Sequence, residues 1–152
     1  MLTFQSEKWT DVIEEMKPLL PRHWEEVAVD KDKIQLDPDF ERYAKLCEEE
    51  TLLCFTARTG EGELVGYLWA FVQYNLHYRK SLCAFFDVYY LAPEHRQGFN
   101  GVNLFSEAEK HMKTIGVDKM FTGTKLLHDV SAIFQFLKWR PTEQNFTKYI
   151  GD

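Results

Sequence analysis

Apolar residues fall at Trp9, Val12, Ile13 and Met16, the three- and four-residue spacing of a helix face. Ser6 stands in the N-cap place and Pro18 near the far end, so the pattern predicts a helix over 6–20. The polar stretch 21–37, PRHWEEVAVDKDKIQLD, is long for a connection in a compact domain and has room for a short helix. Helical period returns from Pro38 to Glu49, with Pro38 at the first position and Phe40, Tyr43, Ala44 and Cys47 on one face.

At Thr51 the pattern changes to that of strands. TLLCFTART (51–59) and ELVGYLWAFVQYNL (63–76) are rich in β-branched and aromatic residues and are joined by a glycine-containing turn, so they predict a hairpin. A third strand, Leu82–Leu91, follows the connector HYRKS. The chain then breaks at Pro93, passes through Arg96, Gly98, Asn100 and Gly101, and restarts as an amphipathic helix. That helix runs to about Ile115, burying Leu104, Phe105, Ala108, Met112 and Ile115, with Gly116 in the C-cap place. KMFTGTK (119–125) predicts a short strand, Asp129 a cap for a helix through Trp139, and EQNFTKYI (143–150) a last strand. The order is helix, helix, three antiparallel-type strands, helix, strand, helix, strand. It predicts one mixed α/β (α+β) domain over 1–152, a mostly antiparallel central sheet flanked by helices.

Composition narrows the function classes. The chain is 45% hydrophobic and 15% aromatic, which suits a packed core at 152 residues. A formal net charge of -6 with no basic stripe argues against nucleic-acid binding but leaves a local anion site open. The three cysteines (Cys47, Cys54, Cys83) lack disulfide or metal-ligand spacing, so they predict buried thiols in a reducing compartment and no metal site. MLTFQSEKWTD has no signal-peptide pattern, and LVGYLWAFV is about half a membrane span. A cytoplasmic protein with no membrane partner is the expectation.

Chemistry concentrates at residues 93–101. A helix start presents unpaired N–H groups and the positive end of the helix dipole, and a glycine-bearing turn before it lets an anion approach. Gly98 and Gly101 give two open positions, and Arg96 can add a charged hydrogen bond. Alternatively, the glycines only satisfy the turn geometry of a helix entry.

The run VYYLAPEHRQGFNGVNLF resembles the central motif of the GNAT superfamily of acyl-CoA N-acetyltransferases, in which a strand leads through proline and an Arg-x-x-Gly-x-Gly/Ala turn into a helix. The element order matches that fold over nearly the whole chain, and AIFQFLKWRPTE resembles its late helix. HWEE and LDPDFERY also resemble the GNAT proteins carried by phages and prophages, which would put the chain in a host cytoplasm. Three positions depart from the family pattern: Phe99 replaces the first glycine, Phe134 the frequent tyrosine of the late helix, and Lys138 the glycine beyond it.

The resemblance implies acetyl-CoA as co-substrate and an amine acceptor, on a small molecule or a protein. Its pyrophosphate would lie on Gln97, Gly98, Phe99, Asn100 and Gly101 with Arg96 nearby, and its pantetheine arm would pair with Tyr90 and Leu91. Asp87, the only acid in its apolar strand, is the leading general base. Alternation predicts that it shares a face with Phe85, Tyr89 and Leu91, where aromatic surroundings would raise its pKa. An Asp that only binds a cationic acceptor, or that is structural, is the competing reading. His128, in a loop, is a second catalytic candidate, and Tyr89 or Tyr90 is the replacement for the missing phenol. His23, Glu25 and Glu26, with His77 and Tyr78, are the candidates for binding the acceptor. Phe99 and Phe134 also fit a GNAT-like binding protein without turnover, of phage origin or not, and a homodimer is an allowed assembly.

Overall fold

The computed structural model describes residues 1–152, and the architecture is a mixed α/β one in which helices flank a mostly antiparallel sheet. Strands β1 (Thr3–Glu7), β2 (Leu52–Arg58), β3 (Leu64–Tyr74) and β4 (Leu82–Leu91) lie side by side as antiparallel neighbours in that order. Strand β5 (Lys119–Phe121) closes the sheet parallel to β4, pairing Cys83 with Lys119 and Phe85 with Phe121. Helices α1 (Trp9–Met16), α2 (Leu20–Val27) and α3 (Phe40–Glu48) contribute to the core on one face. Helices α4 (Asn100–Thr114) and α5 (Ser131–Phe136) pack on the other.

Each face is sealed by the stripe that its helices carry. Trp9, Val12, Ile13 and Met16 of α1 bury against Tyr67 and Trp69 of β3 and Tyr90 of β4. Leu104, Phe105, Ala108 and Met112 of α4 bury against Phe55, Leu68, Ala70 and Phe86. At the far edge Arg58 joins three elements: its Nε donates to Glu7 at 2.8 Å and its two terminal nitrogens to Glu15 at 2.8 and 2.9 Å. Burial alone would raise the Glu7 carboxyl, but hydrogen bonds from Arg58 and Thr56 outweigh it and hold Glu7 below the usual carboxylate range.

Four boundaries differ from the sequence expectation. Ser6 caps no helix; it sits in β1 opposite Phe55, because the chain's first residues pair with the outer edge of β2. Helix α3 begins at Phe40, not Pro38, and Asp39 caps it, its carboxylate accepting from the Arg42 N–H at 2.9 Å. The helix expected through Trp139 stops at Phe136, with Lys138 in the left-handed region at φ 63. The last strand, 143–150, does not form: β5 is only three residues long, no strand lies beyond it, and Phe146 and Ile150 are exposed. All three cysteines are free and buried, and no helix is long and apolar enough to cross a membrane.

Candidate active site

Beyond β4 a short turn at Pro93–His95 leads to Gly98, whose φ of 58 lies in the left-handed region that glycine enters without strain. The Asn100 side chain braces this turn by donating from Nδ2 to the His95 carbonyl at 2.9 Å. The backbone N–H groups of Gln97, Gly98, Phe99, Gly101 and Val102 have no hydrogen-bond acceptor in the protein, and the first turn of α4 carries no acid. Five such donors in six residues, at the positive end of a fifteen-residue helix, form an anion cradle.

The two glycines divide the work differently from the sequence expectation. Gly98 is open, since a Cβ at that position would have nothing within 4 Å, whereas Gly101 faces inward. A Cβ on Gly101 would lie 2.7 Å from Ile133 Cδ1 and 2.8 Å from Tyr89 Oη. Gly101 therefore lets α4, β4 and α5 approach one another. The Phe99 ring meets that of Phe136, 5.1 Å away between centroids.

Beside the cradle β4 loses its neighbour. Pairing with β5 ends at Phe85, so from Phe86 to Leu91 β4 has no strand on that side. A bulge falls at the same place: Val88 pairs with Trp69 and Phe86 with Ala70, leaving Asp87 without a partner. The extra residue flips the alternation, so Phe86 packs with the α4 core while Val88 and Tyr90 pack with the α1 core. Asp87 consequently stays on the side of Phe85 but is parted from Tyr89, which the bulge turns to the α4 side; it is also exposed rather than enclosed by aromatic rings. Burial, with the charge of Asp87 adding to it, raises the Tyr43 phenol, which places the acid on the α1–α3 side of the sheet. Tyr89 stays on the α4 side, its ring tilted against Phe105 with centroids 5.1 Å apart, and burial pushes its phenol up to about 12.

Arg96 is not aimed at the cradle. Its Nε donates to the Leu91 carbonyl at 2.6 Å and its Nη2 to Glu26 at 2.6 Å, so the carbonyl at the end of β4 is already satisfied by the protein. A second ion pair, Arg22 to Glu94 at 3.2 Å, helps clamp α2 onto the turn after β4. Beneath the clamp His23 Nδ1 lies 3.1 Å from Tyr67 Oη, and burial lowers the imidazole pKa to about 4, so the ring is neutral near pH 7. Tyr90 sits there too, 2% exposed, with no hydrogen-bond partner for its buried hydroxyl. His128 Nε2 approaches Glu26 to 3.7 Å, so Glu26 links the loop after β5 to the turn after β4.

The fold thus gathers His23, Glu26, Tyr90, Arg96 and His128 at one end of the cleft, with the 97–101 cradle adjoining. It does not bring in Glu25, which is exposed and paired with Lys31 at 3.3 Å. His77 and Tyr78 lie in the β3–β4 turn, at the other end of β4 from the cradle, about 30 Å along a ten-residue strand. Sequence reasoning missed Tyr67, Arg22 and Glu94. Tyr67 reads as one more core aromatic until the register sets it opposite Tyr90, and the Arg22–Glu94 pair joins residues that no local pattern relates.

Residues 9–134 match the model of the acetyltransferase (GNAT) family, and the chain belongs to that family of acyl-CoA-dependent enzymes. A comparison of the sequence with curated proteins finds no match. Among solved structures, the fold resembles the aminoglycoside acetyltransferase HMB0005 from an uncultured soil metagenomic sample. The TM-score is 0.75 at 17% identity, over 99% of each chain. It also resembles AAC(6')-Iy in complex with a bisubstrate analog, CoA-S-monomethyl-acetylneamine, at TM-score 0.72 and 18% identity, over 100% of this chain and 99% of that one. A predicted acetyltransferase with acetyl-CoA from Clostridium acetobutylicum gives TM-score 0.68 at 12% identity, over 98% and 96% of the two chains. Likeness at these identities speaks to the fold alone.

Proposed function

We propose that the protein transfers the acetyl group of acetyl-CoA to a primary amine of a small molecule or protein. The observation that carries this reading is the run of unpaired backbone donors over 97–102 at the start of α4, which suits the pyrophosphate of the co-substrate. The open edge of β4 from Phe86 onward suits an arm of amide groups lying alongside it as a further strand. The leading edge of that arm, where the thioester lies, then points to the place where β4 and β5 part.

Transfer requires a neutral amine. Its nitrogen attacks the thioester carbonyl, the C–S bond breaks as the C–N bond forms, and the nitrogen gives up a proton while the thiolate gains one. Asp87, exposed two residues beyond the last β4–β5 pair, accepts the amine's proton or holds its cationic form. Tyr89 supplies the proton for the thiolate: its phenol stays protonated at neutral pH and reaches the Gly101 end of α4, beside α5, where Phe134 has no hydroxyl. His128 and Glu26, facing each other across the cleft end, and His23 of α2 line the acceptor side.

The second reading, a GNAT-like protein that binds without turnover, draws on Phe134, whose ring packs edge-on against Phe105 at 5.0 Å and offers no phenol from α5. Native mass spectrometry for co-purified CoA, followed by thiol release with a panel of amines, tests both. Bound cofactor with release supports transfer, bound cofactor without release supports the second reading, and no affinity for acetyl-CoA overturns both. Asp87→Asn then separates a base, whose loss lowers kcat by about 10²–10⁴-fold, from a cation-binding group, whose loss raises KM.

A further inference from the structure

We infer that Phe99 and Phe136 form a stacking site for the purine ring of acetyl-CoA, an inference that rests on the acetyl-CoA reading above. The two rings come from different elements, the residue before α4 and the last residue of α5, and meet at 5.1 Å with 49° between their planes. They remain 58% and 59% exposed, so the contact leaves most of both rings in water. A folded chain gains little from two large aromatics held together on its surface unless something flat covers them.

Position points to the occupant. The N–H of Phe99 is itself one of the cradle donors, so a diphosphate seated there lies one residue's width from the Phe99 ring. A nucleotide anchored through its diphosphate carries its base one ribose away, within reach of that ring. The Phe99 ring leans on Phe136 and keeps an exposed apolar surface on the residue whose N–H joins the cradle. The first turn of α4 has no carboxylate to repel the phosphates that accompany the base. Phe136 is fixed in place by the end of α5, where the N–H of Lys138 bonds the Gln135 carbonyl and that of Trp139 bonds the Phe134 carbonyl. The phenylalanine that replaces a family glycine thereby gains a binding role of its own.

Calorimetry with three ligands tests the inference: acetyl-CoA; S-acetyl-4'-phosphopantetheine, which lacks the nucleoside; and ADP, which keeps purine and diphosphate. Phe99→Ala and Phe136→Ala should each weaken acetyl-CoA and ADP by about five- to hundredfold, the range of one base–aromatic stack, and leave acetyl-phosphopantetheine unchanged. Phe136→Leu, which keeps apolar volume at the end of α5, guards against loss of fold and should show the same selective weakening. Unchanged acetyl-CoA affinity in the variants, or equal losses for the ligands with and without purine, overturns the stacking site while the acetyl-CoA reading stands. A wild-type protein that binds none of the three overturns both.

Discussion

Gly101→Ala adds one methyl group where three elements converge, and the structure fixes what it meets. The new carbon would lie 2.7 Å from Ile133 Cδ1 and 2.8 Å from Tyr89 Oη, against about 3.5–4.0 Å for ordinary carbon contacts, so a gap of about 0.7 Å or more must open. The terminal methyl of Ile133 can rotate away. Tyr89 cannot yield so easily, because its ring is packed against Phe105 at 5.1 Å. Overpacking of this kind costs about 1–3 kcal/mol, while alanine in place of glycine returns up to about 1 kcal/mol of helix propensity. We therefore expect a net loss of about 1 kcal/mol, a fall in Tm of about 2–4 °C for a chain of this size. Gly101→Val should lose more and also weaken acetyl-CoA binding, by shifting the start of α4. Thermal melts followed by circular dichroism, with calorimetry at a temperature where both variants are folded, provide the measurement. A Gly101→Ala protein as stable as wild type, or more so, would show that helix propensity outweighs the contact and would refute the close-packing argument.

Three further outcomes are expected. Lys138→Gly should raise stability by about 0.5–1 kcal/mol, read as a higher urea midpoint, because Lys138 holds φ 63 at a helix end where glycine meets no steric cost. Arg96→Ala should lower stability by about 1–3 kcal/mol even without ligand, since it strips the Leu91 carbonyl and the half-buried Glu26 of their partner; a loss confined to acetyl-CoA affinity would contradict the observed pairing. Glu7, held below the usual carboxylate range when folded, contributes stability that is present above its unfolded pKa and lost as pH falls through the folded one. Glu7→Gln should accordingly lower stability at pH 7 and flatten its decline below about pH 4.5.

The order of the central elements was legible because their periods are strong. Leu82–Leu91 and the stripe Leu104, Phe105, Ala108 and Met112 are each dictated by local alternation or helical spacing. What escaped depends on partners remote in sequence. TFQSE forms β1 only because β2 offers an edge, and EQNFTKYI forms no strand because the sheet provides it no neighbour. The cradle was legible from Gly98 and the helix start, yet the role of Gly101 was not, since Ile133 and Tyr89 reach it from elements far along the chain. Arg96 shows the same limit: its charge and place resemble a phosphate ligand, and only the docking of α2 reveals Glu26 as its partner. Simple alternation gives Asp87 the wrong neighbours because one unpaired residue in β4 turns Tyr89 to the other face.

That reversal also accounts for how a sheet provides a binding cleft. Three parallel pairs tie β5 to β4; β5 ends with the last of them at Phe121, and β4 continues from Phe86 to Leu91 with no strand on that side, its final carbonyl held by Arg96. A free edge at the rim of a sheet invites association with other chains. This one has α4 and α5 on one face and the clamped α2 on the other, surroundings that suit the narrow, extended arm of the proposed co-substrate. At the end of the same edge, the donors over 97–102 are again main-chain groups. A site built in this way demands little of particular side chains beyond a glycine, a helix start and a bulge. On the proposed reading, the acetyl-CoA half of the reaction is encoded in backbone geometry, which sequence patterns record well. The acceptor half, on the same reading, rests on side chains such as Asp87, His23, Glu26 and His128, whose positions depend on register and on the docking of α2, and it is there that kinetics must decide the chemistry.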